Sequence, residues 1–371
     1  MPGVLQGLKV VEFTHMVAGP ACGQVLGDFG ADITKVEPPQ GDITRRIGPM
    51  AGDMAALYAS TNRNKKVVCL DITDPEGAGK ARKLALQADV TISNLDTAMI
   101  KRAGLDGASL RRDEPRLICV EITGFGQGGP AGTDGLAQAA MGLMATTGAP
   151  EGPTFRTGPS VVDVSTGVWA ALGVMAALEN RRQTGKGDFI QASLADVCLY
   201  MQYPHITMYG AAPDAVRRNG NHSVVACTPK FETADGMIQV TVLHQRHWRA
   251  LCEHAGAPEL VDDPRFAGTA QLCAAQPLIE QLLNPRMRKR TRGEWVEKLR
   301  AAKLPCGPER DYAEVTADPE LFSRGMLYRL GAGNASSLQV RMPLEFAATP
   351  RAIPDPPASL PAGGPQHGNK P

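Results

Sequence analysis

Asp163 is a carboxylate whose place in this sequence could carry chemistry. It is the only acid between Arg156 and Leu178, and it follows a Gly158-Pro159 turn and two valines. A helix is expected to begin there. Val164, Val168, Ala171, Leu172, Met175 and Leu178 recur at spacings of three and four, and Val174 and Trp169 widen the stripe. That much apolar surface predicts a helix buried on most of its circumference. A carboxylate at the mouth of such a helix has two readings. It is a favoured N-cap, or a carboxylate shielded from water that attacks an acyl group. His15 follows a strand-like run and reads as a turn residue near a site or as a packing histidine. Asp134 reads as a hydrogen-bonding partner near a site or as a helix cap. His222 follows Asn219-Gly-Asn in a loop, and Trp248 and Trp295 read as core.

The elements that must position these residues follow a β-α-β pattern. Gly7–Thr14 alternates and is Val-rich, Ala21–Phe29 is helical, and Ala31–Glu37 is a second strand. This is the unit of a parallel sheet. Its turn is Ala18-Gly19-Pro20, so the G-x-G-x-x-G dinucleotide fingerprint is absent, and there is no Walker lysine motif. Further strands are expected at Lys65–Leu70, Ala88–Asn94, Arg116–Thr123 and Asp188–Ala192. Pro38–Ser60 reads as loop. Helices are expected from the Asp74-Pro75 start signal to Gln87, and at Ala98–Gly104, Ala137–Thr147 and Ser193–Met208. Ligands of open parallel sheets bind beyond the carboxyl ends of the strands. The turn at Val17, the segments after Leu70 and Asn94, and the loop Gly124–Pro130 therefore share one edge.

Composition shifts after about residue 210. Residues 220–320 read as a smaller α+β domain, with a strand at Gly236–Leu243 and amphipathic helices at His247–Ala255 and Arg292–Ala302. From Glu320 the pattern is less regular, and after Thr349 it is a Pro/Gly-rich tail. The chain has 371 residues with 39 basic and 38 acidic side chains, so net charge gives no reason to expect nucleic acid or an anionic membrane as partner. No uninterrupted apolar run approaches about 18 residues, so no membrane span is expected. The N-terminus lacks the layout of a signal peptide. Eight scattered cysteines without a C-x-x-C pair argue against zinc or a disulfide framework and point to a reducing cytoplasm.

The motifs in order resemble a known family. They run Leu5-x-Gly-Leu-x-Val, Ala18-Gly-Pro, Phe29-Gly-Ala-Asp, Lys35-Val-Glu, Gly41-Asp-x-x-Arg45 and Asn62-Arg-Asn-Lys. They continue with Leu70-Asp, Ala88-Asp-Val, Asn94, Gly124-Phe-Gly-Gln-x-Gly-Pro, Val162-Asp and Arg182-x-Thr-Gly-Lys-Gly. Together they resemble the family III CoA-transferases, which include formyl-CoA:oxalate and carnitine CoA-transferases and share a fold with α-methylacyl-CoA racemase. The resemblance covers Leu5 to about Tyr200, with a weaker echo in Thr233–Gly236, Asp263–Phe266 and Asp318–Met326.

The resemblance implies an α/β fold: a Rossmann-like large domain, a small α+β domain, and an interlocked ring-like homodimer. The expected boundaries are 1–205 for the large CoA-binding domain, 206–225 for a linker, 226–320 for the small domain and 321–371 for a segment returning to the large one. It implies Asp163 as nucleophile. It implies that coenzyme A, as acyl-CoA substrate and product, binds at Val17, Ala18, Leu70, Asp71, Ile72, Thr73, Asn94, Leu95, Asp96 and Arg102, with no metal. Arg45, Arg63 and Lys65 are further candidates for a phosphate, or partners of nearby acids. The implied partners are an acyl-CoA, a small carboxylic acid and a second subunit, in the cytoplasm, without nucleic acid or membrane. The chain departs from the pattern in places. Val17 stands where formyl-CoA-type transferases have Gln, and Asn94-Leu-Asp-Thr-Ala98 replaces Asn-Phe-Arg-Pro-Gly. Pro38 stands where a basic residue is common, and no glycine run lies between Arg218 and Pro229. Thr133 occupies the position of the racemase histidine. A racemase or a non-catalytic CoA-binding protein are the rival readings.

Overall fold

The computed structural model describes residues 3–52, 54–331, 336–349 and 354–360. The chain divides into two compact units. The first comprises Met1–Met141, Thr157–Met201 and Pro319–Pro371, and the second Gly142–Arg156 and Gln202–Asp318. The segment expected as a linker, 206–225, lies inside the second unit, and Gly142–Arg156 joins it too.

The first unit is built on six parallel strands: β1 Lys9–Phe13, β2 Asp32–Glu37, β3 Lys65–Cys69, β4 Val90–Ser93, β5 Ile118–Thr123 and β6 Phe189–Ser193. Their order is β3-β2-β1-β4-β5-β6. β1 is buried over Val10–Phe13, as a strand covered on both faces must be. Side chains alternate across it. Val11 and Phe13 join a core with Ala81, Ala85, Ile100 and Leu110, supplied by helices α2 (Pro75–Leu86), α3 (Thr97–Arg102) and α4 (Gly107–Asp113). Glu12 faces the opposite way, against helix α1 (Ala18–Asp28), where an added Cβ on Gly23 would lie 1.8 Å from its Oε2.

Helix α1 begins three residues earlier than the apolar pattern suggests, because Pro20 fits the first turn of a helix. The stretch 38–60, expected as loop, holds a 3-10 turn (Ile43–Arg46), a short antiparallel pair and a helix, Ala56–Thr61. Beyond β5 come α5 (Asp134–Ala140) and the long α6 (Val161–Thr184). The expected single helix Ser193–Met208 is two, α7 (Leu194–Tyr200) and α8 (Tyr203–Ala211), with Pro204 near the start of the second. The region after Glu320 is more regular than expected, with a helix at Pro319–Ser323 and the antiparallel pair β10 (Leu327–Leu330) and β11 (Ser337–Val340). Residues 354–360 are pinned to the first unit. Asp355 N donates to Asn64 Oδ1 at 2.7 Å, and Arg45 donates to Ala358 O at 3.2 Å. The expected tail beyond residue 360 lies outside the described residues.

Helix α6 overturns one expectation. Its buried residues include Thr166, Gly167, Ala170, Ala171, Val174 and Ala177. Val164, Val168, Trp169 and Leu172 are exposed, Leu172 by 53%. The inward face is mostly small residues, and at Gly167 α6 lies so close to α1 that no side chain fits. Of the expected stripe, Ala171 and Val174 are buried, Met175 and Leu178 are half-buried, and Val164, Val168, Trp169 and Leu172 point outward. Its 24 residues are long and apolar enough to cross a membrane by length and composition, although Asp163, Ser165 and Thr166 interrupt the apolar run. Of its most apolar 18-residue window, 39% is buried in the protein, and the helix packs on α1, β5 and β6.

The second unit has a three-stranded antiparallel sheet, β7 (Lys230–Thr233), β8 (Gly236–Val240) and β9 (Cys306–Pro308), in the order β9-β8-β7. Helices α9 (Gln245–Ala255), α10 (Gln276–Met287) and α11 (Arg292–Ala301) cover it. Trp248 and Trp295 sit in its core as expected, their indole N–H groups donating to Leu260 O and Met287 O.

Candidate active site

The strand order reverses between β1 and β4, which opens a crevice at their carboxyl ends. A buried ionic network fixes the turn after β1. Lys35 Nζ donates to Thr14 O at 2.8 Å and lies 3.0 Å from Asp42 Oδ2. Lys65 Nζ donates to Glu12 Oε1 at 2.9 Å and to Pro20 O at 2.8 Å, and burial lowers its pKa to about 8. Asn94 ties the two sides of the crevice together. His15 N donates to Asn94 Oδ1, and Asn94 Nδ2 donates to His15 O, both at 2.9 Å. Gly19 permits this pairing, since a Cβ there would fall 2.8 Å from both Asn94 Cγ and Thr14 Cγ2. Met16 takes a left-handed φ of 60° and is exposed. The His15 ring also reaches solvent, yet the crowded turn lowers its pKa by burial, partly offset by Asp42. Val17 is the N-cap residue of α1 and offers no side-chain cap. Pro20 has no N–H and Ala21 N donates to Val17 O, so the amides of Ala18 and Gly19 are the two at this helix start that no side chain among the described residues caps.

The candidate CoA-contact residues lie along this edge. Val17 and Ala18 are buried at the start of α1. Leu70 to Thr73 follow β3, where Asp71 Oδ1 accepts from Thr73 Oγ1 (2.6 Å) and Thr73 N (2.9 Å); these bonds hold its carboxyl below the usual range. Ile72 is buried. Asn94 and Leu95 follow β4, and Asp96 caps α3 through Met99 N at 2.8 Å. Arg102, at the end of α3, is exposed. The phosphate candidates Arg45, Arg63 and Lys65 are committed to protein acids instead. Arg45 pairs with Glu37 at 2.7 Å, Arg63 with Asp28, and Lys65 with Glu12. Buried carboxylates need such partners, and long basic side chains of the same layer supply them. His222 bonds Glu280 at 3.1 Å within the second unit.

Asp163 is the third residue of α6, not its cap. The N-cap position is Ser160, and no side chain of the helix itself caps it. The cap comes from α5. Asp134 Oδ2 accepts from Val162 N at 2.8 Å and from Asp163 N at 3.1 Å. Gln138, one turn along α5, donates to Asp134 Oδ1 at 2.5 Å, and its Oε1 accepts from Thr157 N at 2.9 Å. Asp134 and Gln138 are 6% and 0% exposed. The Asp163 carboxylate therefore keeps no amide for itself, and among the described residues it has no hydrogen-bond partner. It is half-buried. Burial, and then the Asp134 charge, push its pKa up to about 6.

One turn beyond Asp163, Gly167 brings α6 onto α1. A Cβ on Gly167 would meet Ala21 Cβ at 2.7 Å and Ala18 O at 2.8 Å. Four residues of helix rise about 6 Å, so the free carboxylate stands within about one turn of the uncapped start of α1. The loop from β5 to Asp134 closes through a similar contact, with Gly124 and Gly132 too near each other for any side chain. The sequence reading missed Gln138 and Gly167. Asp134 and Gln138 have the i, i+4 spacing of a hydrogen-bonded helical pair, and a lone glycine in an apolar helix signals close packing.

Comparison with known proteins agrees with this geometry. The family model described as CoA-transferase family III matches residues 5–364. The chain is 33% identical over 362 residues to a succinate–glutarate CoA-transferase of Agrobacterium fabrum, covering 93% of this chain and 90% of that protein. It is 33% identical over 336 residues to an acetyl-CoA:oxalate CoA-transferase of Acetobacter aceti, covering 89% of this chain and 86% of that one. The crystal structure of a CAIB/BAIF family protein from Brucella suis superposes with a TM-score of 0.87 at 32% identity, covering 97% of each chain. With a parallel doubly wound sheet, a free carboxylate beside its switch point and relatives along nearly its whole length, the chain belongs to CoA-transferase family III.

Proposed function

We propose that this CoA-transferase works through covalent intermediates on Asp163, moving CoA from an acyl-CoA to a short carboxylic acid. The observation that carries this reading is the carboxylate itself: half-buried, unpaired and beside the free amides of α1. An Asp163 oxygen attacks the donor thioester carbonyl. The C–S bond breaks, CoA leaves as thiolate, and a mixed anhydride forms. The thiolate attacks the aspartyl carbonyl, giving an aspartyl-CoA thioester and releasing the donor acid. The acceptor carboxylate attacks that thioester and frees the thiolate again. The thiolate then takes the new acyl group and restores the Asp163 carboxylate. No net proton moves, and each intermediate is as reactive as the bonds exchanged. The amides of α1 and the glycine loops are suited to stabilise the oxyanions.

The crevice is the proposed seat of coenzyme A. Uncapped helix amides and the exposed Arg102 suit its phosphates; Val17 and Ala18 suit the pantetheine, and Leu70 to Thr73 with Asn94 to Asp96 suit the nucleotide. Thr133 caps α5 through Leu136 N, so no imidazole stands there for α-proton transfer. A homodimer is part of the proposal. In the first unit the outer face of α6 exposes Val164, Val168 and Leu172, and in the second unit α8 has no buried residue. Interlocking of two such chains would cover them. The eight free thiols suit a cytoplasmic enzyme.

A matrix of acyl-CoA donors and short mono- and dicarboxylic acids, read by mass spectrometry, tests the activity. Hydroxylamine should trap an acyl adduct on the peptide carrying Asp163. Asp163→Ala should keep the fold and lose at least about 1,000-fold in kcat, the scale of removing a covalent nucleophile. Wild-type turnover by that variant would refute the assignment.

A further inference from the structure

We propose that Asp134 is a positioning residue whose fixed negative charge disfavours free carboxylate at Asp163 and so favours the acylated enzyme. The inference rests on the reading of Asp163 as nucleophile. A carboxylate in the first turn of a helix ordinarily gains from the N-terminal amides and the dipole. Here Asp134 accepts from the amides of Val162 and Asp163 itself. The favourable end of α6 therefore stabilises the neighbour and not the nucleophile. Asp134 cannot swing away, because Gln138 holds its second oxygen and is itself anchored on Thr157 N.

Among the described residues, Asp134 is the one charge that acts on Asp163. Of the elements packed on α6, the first two turns of α1 carry no ionisable group but the buried Cys22. α7 contributes Asp196, which accepts from Ser193 Oγ at 2.6 Å, Cys198, and Tyr200, whose ring meets Trp169 edge-on at 4.8 Å. β5 contributes the buried Cys119 and Glu121, which accepts from Thr97 Oγ1 at 3.0 Å, and β6 carries no charge. No cation among them compensates Asp163.

The consequence for the reaction is electrostatic. While Asp163 is ionised, two carboxylates repel across one helix start. When Asp163 becomes an anhydride or thioester, its charge leaves, first on the CoA thiolate and then on the departing acid. The repulsion is present in the free enzyme and absent from the aspartyl-CoA thioester once the donor acid has left. Asp134 thus raises both the basicity of the nucleophile and the equilibrium occupancy of that thioester by the same free energy. A structural cap alone would raise neither.

Asp134→Asn tests this, because an amide oxygen still accepts from both backbone N–H groups while the charge is gone. The Asp163 carboxyl is followed by carbon-13 NMR in protein labelled at aspartate, assigned through Asp163→Asn. Its titration midpoint should fall by about one pH unit in Asp134→Asn. The equilibrium occupancy of the aspartyl-CoA adduct at fixed acyl-CoA and donor acid, read as the hydroxamate formed on Asp163 in a brief hydroxylamine quench, should fall about tenfold, the same free energy expressed as a ratio. An unmoved midpoint in a folded variant overturns the proposal, as does a shifted midpoint with unchanged adduct yield. If Asp134→Asn does not fold, Asp134→Ser removes the charge and keeps a hydroxyl acceptor, with the same two readouts. The titration needs no turnover. A wild-type enzyme that moves no CoA would sink the nucleophile reading, while the midpoint would still judge the coupling of the two carboxyls.

Discussion

Two aspartates one hydrogen bond apart have opposite surroundings, and the proposed chemistry rests on that difference. Asp134 is buried and accepts two amides and a carboxamide N–H, whereas Asp163 is half-buried and accepts nothing from the described residues. Environments of this kind push two like groups into different roles. The effect on stability can be signed. The folded protein holds the Asp163 proton up to about pH 6, against the ordinary 3.8. Between those values the folded state binds more protons than the unfolded one, so stability falls as pH rises through that window. Asp163→Asn removes the penalty. The variant should be more stable than wild type by about 1–3 kcal/mol above pH 6, with the gain vanishing below about pH 4 as Asp163 becomes protonated in both states. Urea unfolding at pH 3.5, 5 and 7.5 reads this directly, and an equal gain at all three values would contradict it. In wild type, kcat/KM should rise with an acid limb near the same titration, because only the carboxylate attacks.

At the scale of elements, the site depends on two close contacts. α6 reaches α1 only because Gly167 has no side chain, and β1 holds its turn only because Gly23 leaves room for Glu12. Gly167→Val would push the two helices apart. We expect a loss of about 1–3 kcal/mol from overpacking, measured by thermal or denaturant unfolding. We also expect a larger fall in kcat/KM than that loss implies, since a displacement of about 1 Å costs on the order of 100-fold in rate. Full activity in Gly167→Val would show that the spacing of α1 and α6 is unimportant. The same contact explains why α6 was only half legible. Its length, polarity and Asp163 near its start were readable from the apolar run. Which face turned inward was not, because periodicity ranks residues by hydrophobicity while close helix packing selects them by size.

At the scale of the whole molecule, a large share of apolar surface is left uncovered by the described residues. Trp169, Leu172, Leu199 and Tyr200 are exposed on the first unit, and Tyr203, Ile206 and Tyr209 on the second. Exposed patches of this kind mark interfaces. Leu172→Asp, on the outer face of α6, should shift the protein from dimer to monomer in light scattering and lower its melting temperature in a concentration-dependent way. A wild-type protein that stays monomeric at micromolar concentration would remove the dimer from the proposal.

The sequence by itself determined the parallel β-α-β order, the carboxyl edge on which the turn at Val17 and Asn94 fall, and the place of Asp163 near the start of a long apolar helix. Strands alternate and helices start at capping signals over a few residues, so local pattern carries that information. Tertiary structure decided which acid caps α6 and which stays free. It also decided that Arg45, Arg63 and Lys65 are held by Glu37, Asp28 and Glu12, and that the small face of α6 is the buried one. Each of these depends on groups distant along the chain meeting at a few ångströms, where hydrogen-bond partners and excluded volume, not residue type, determine a side chain's charge and reach.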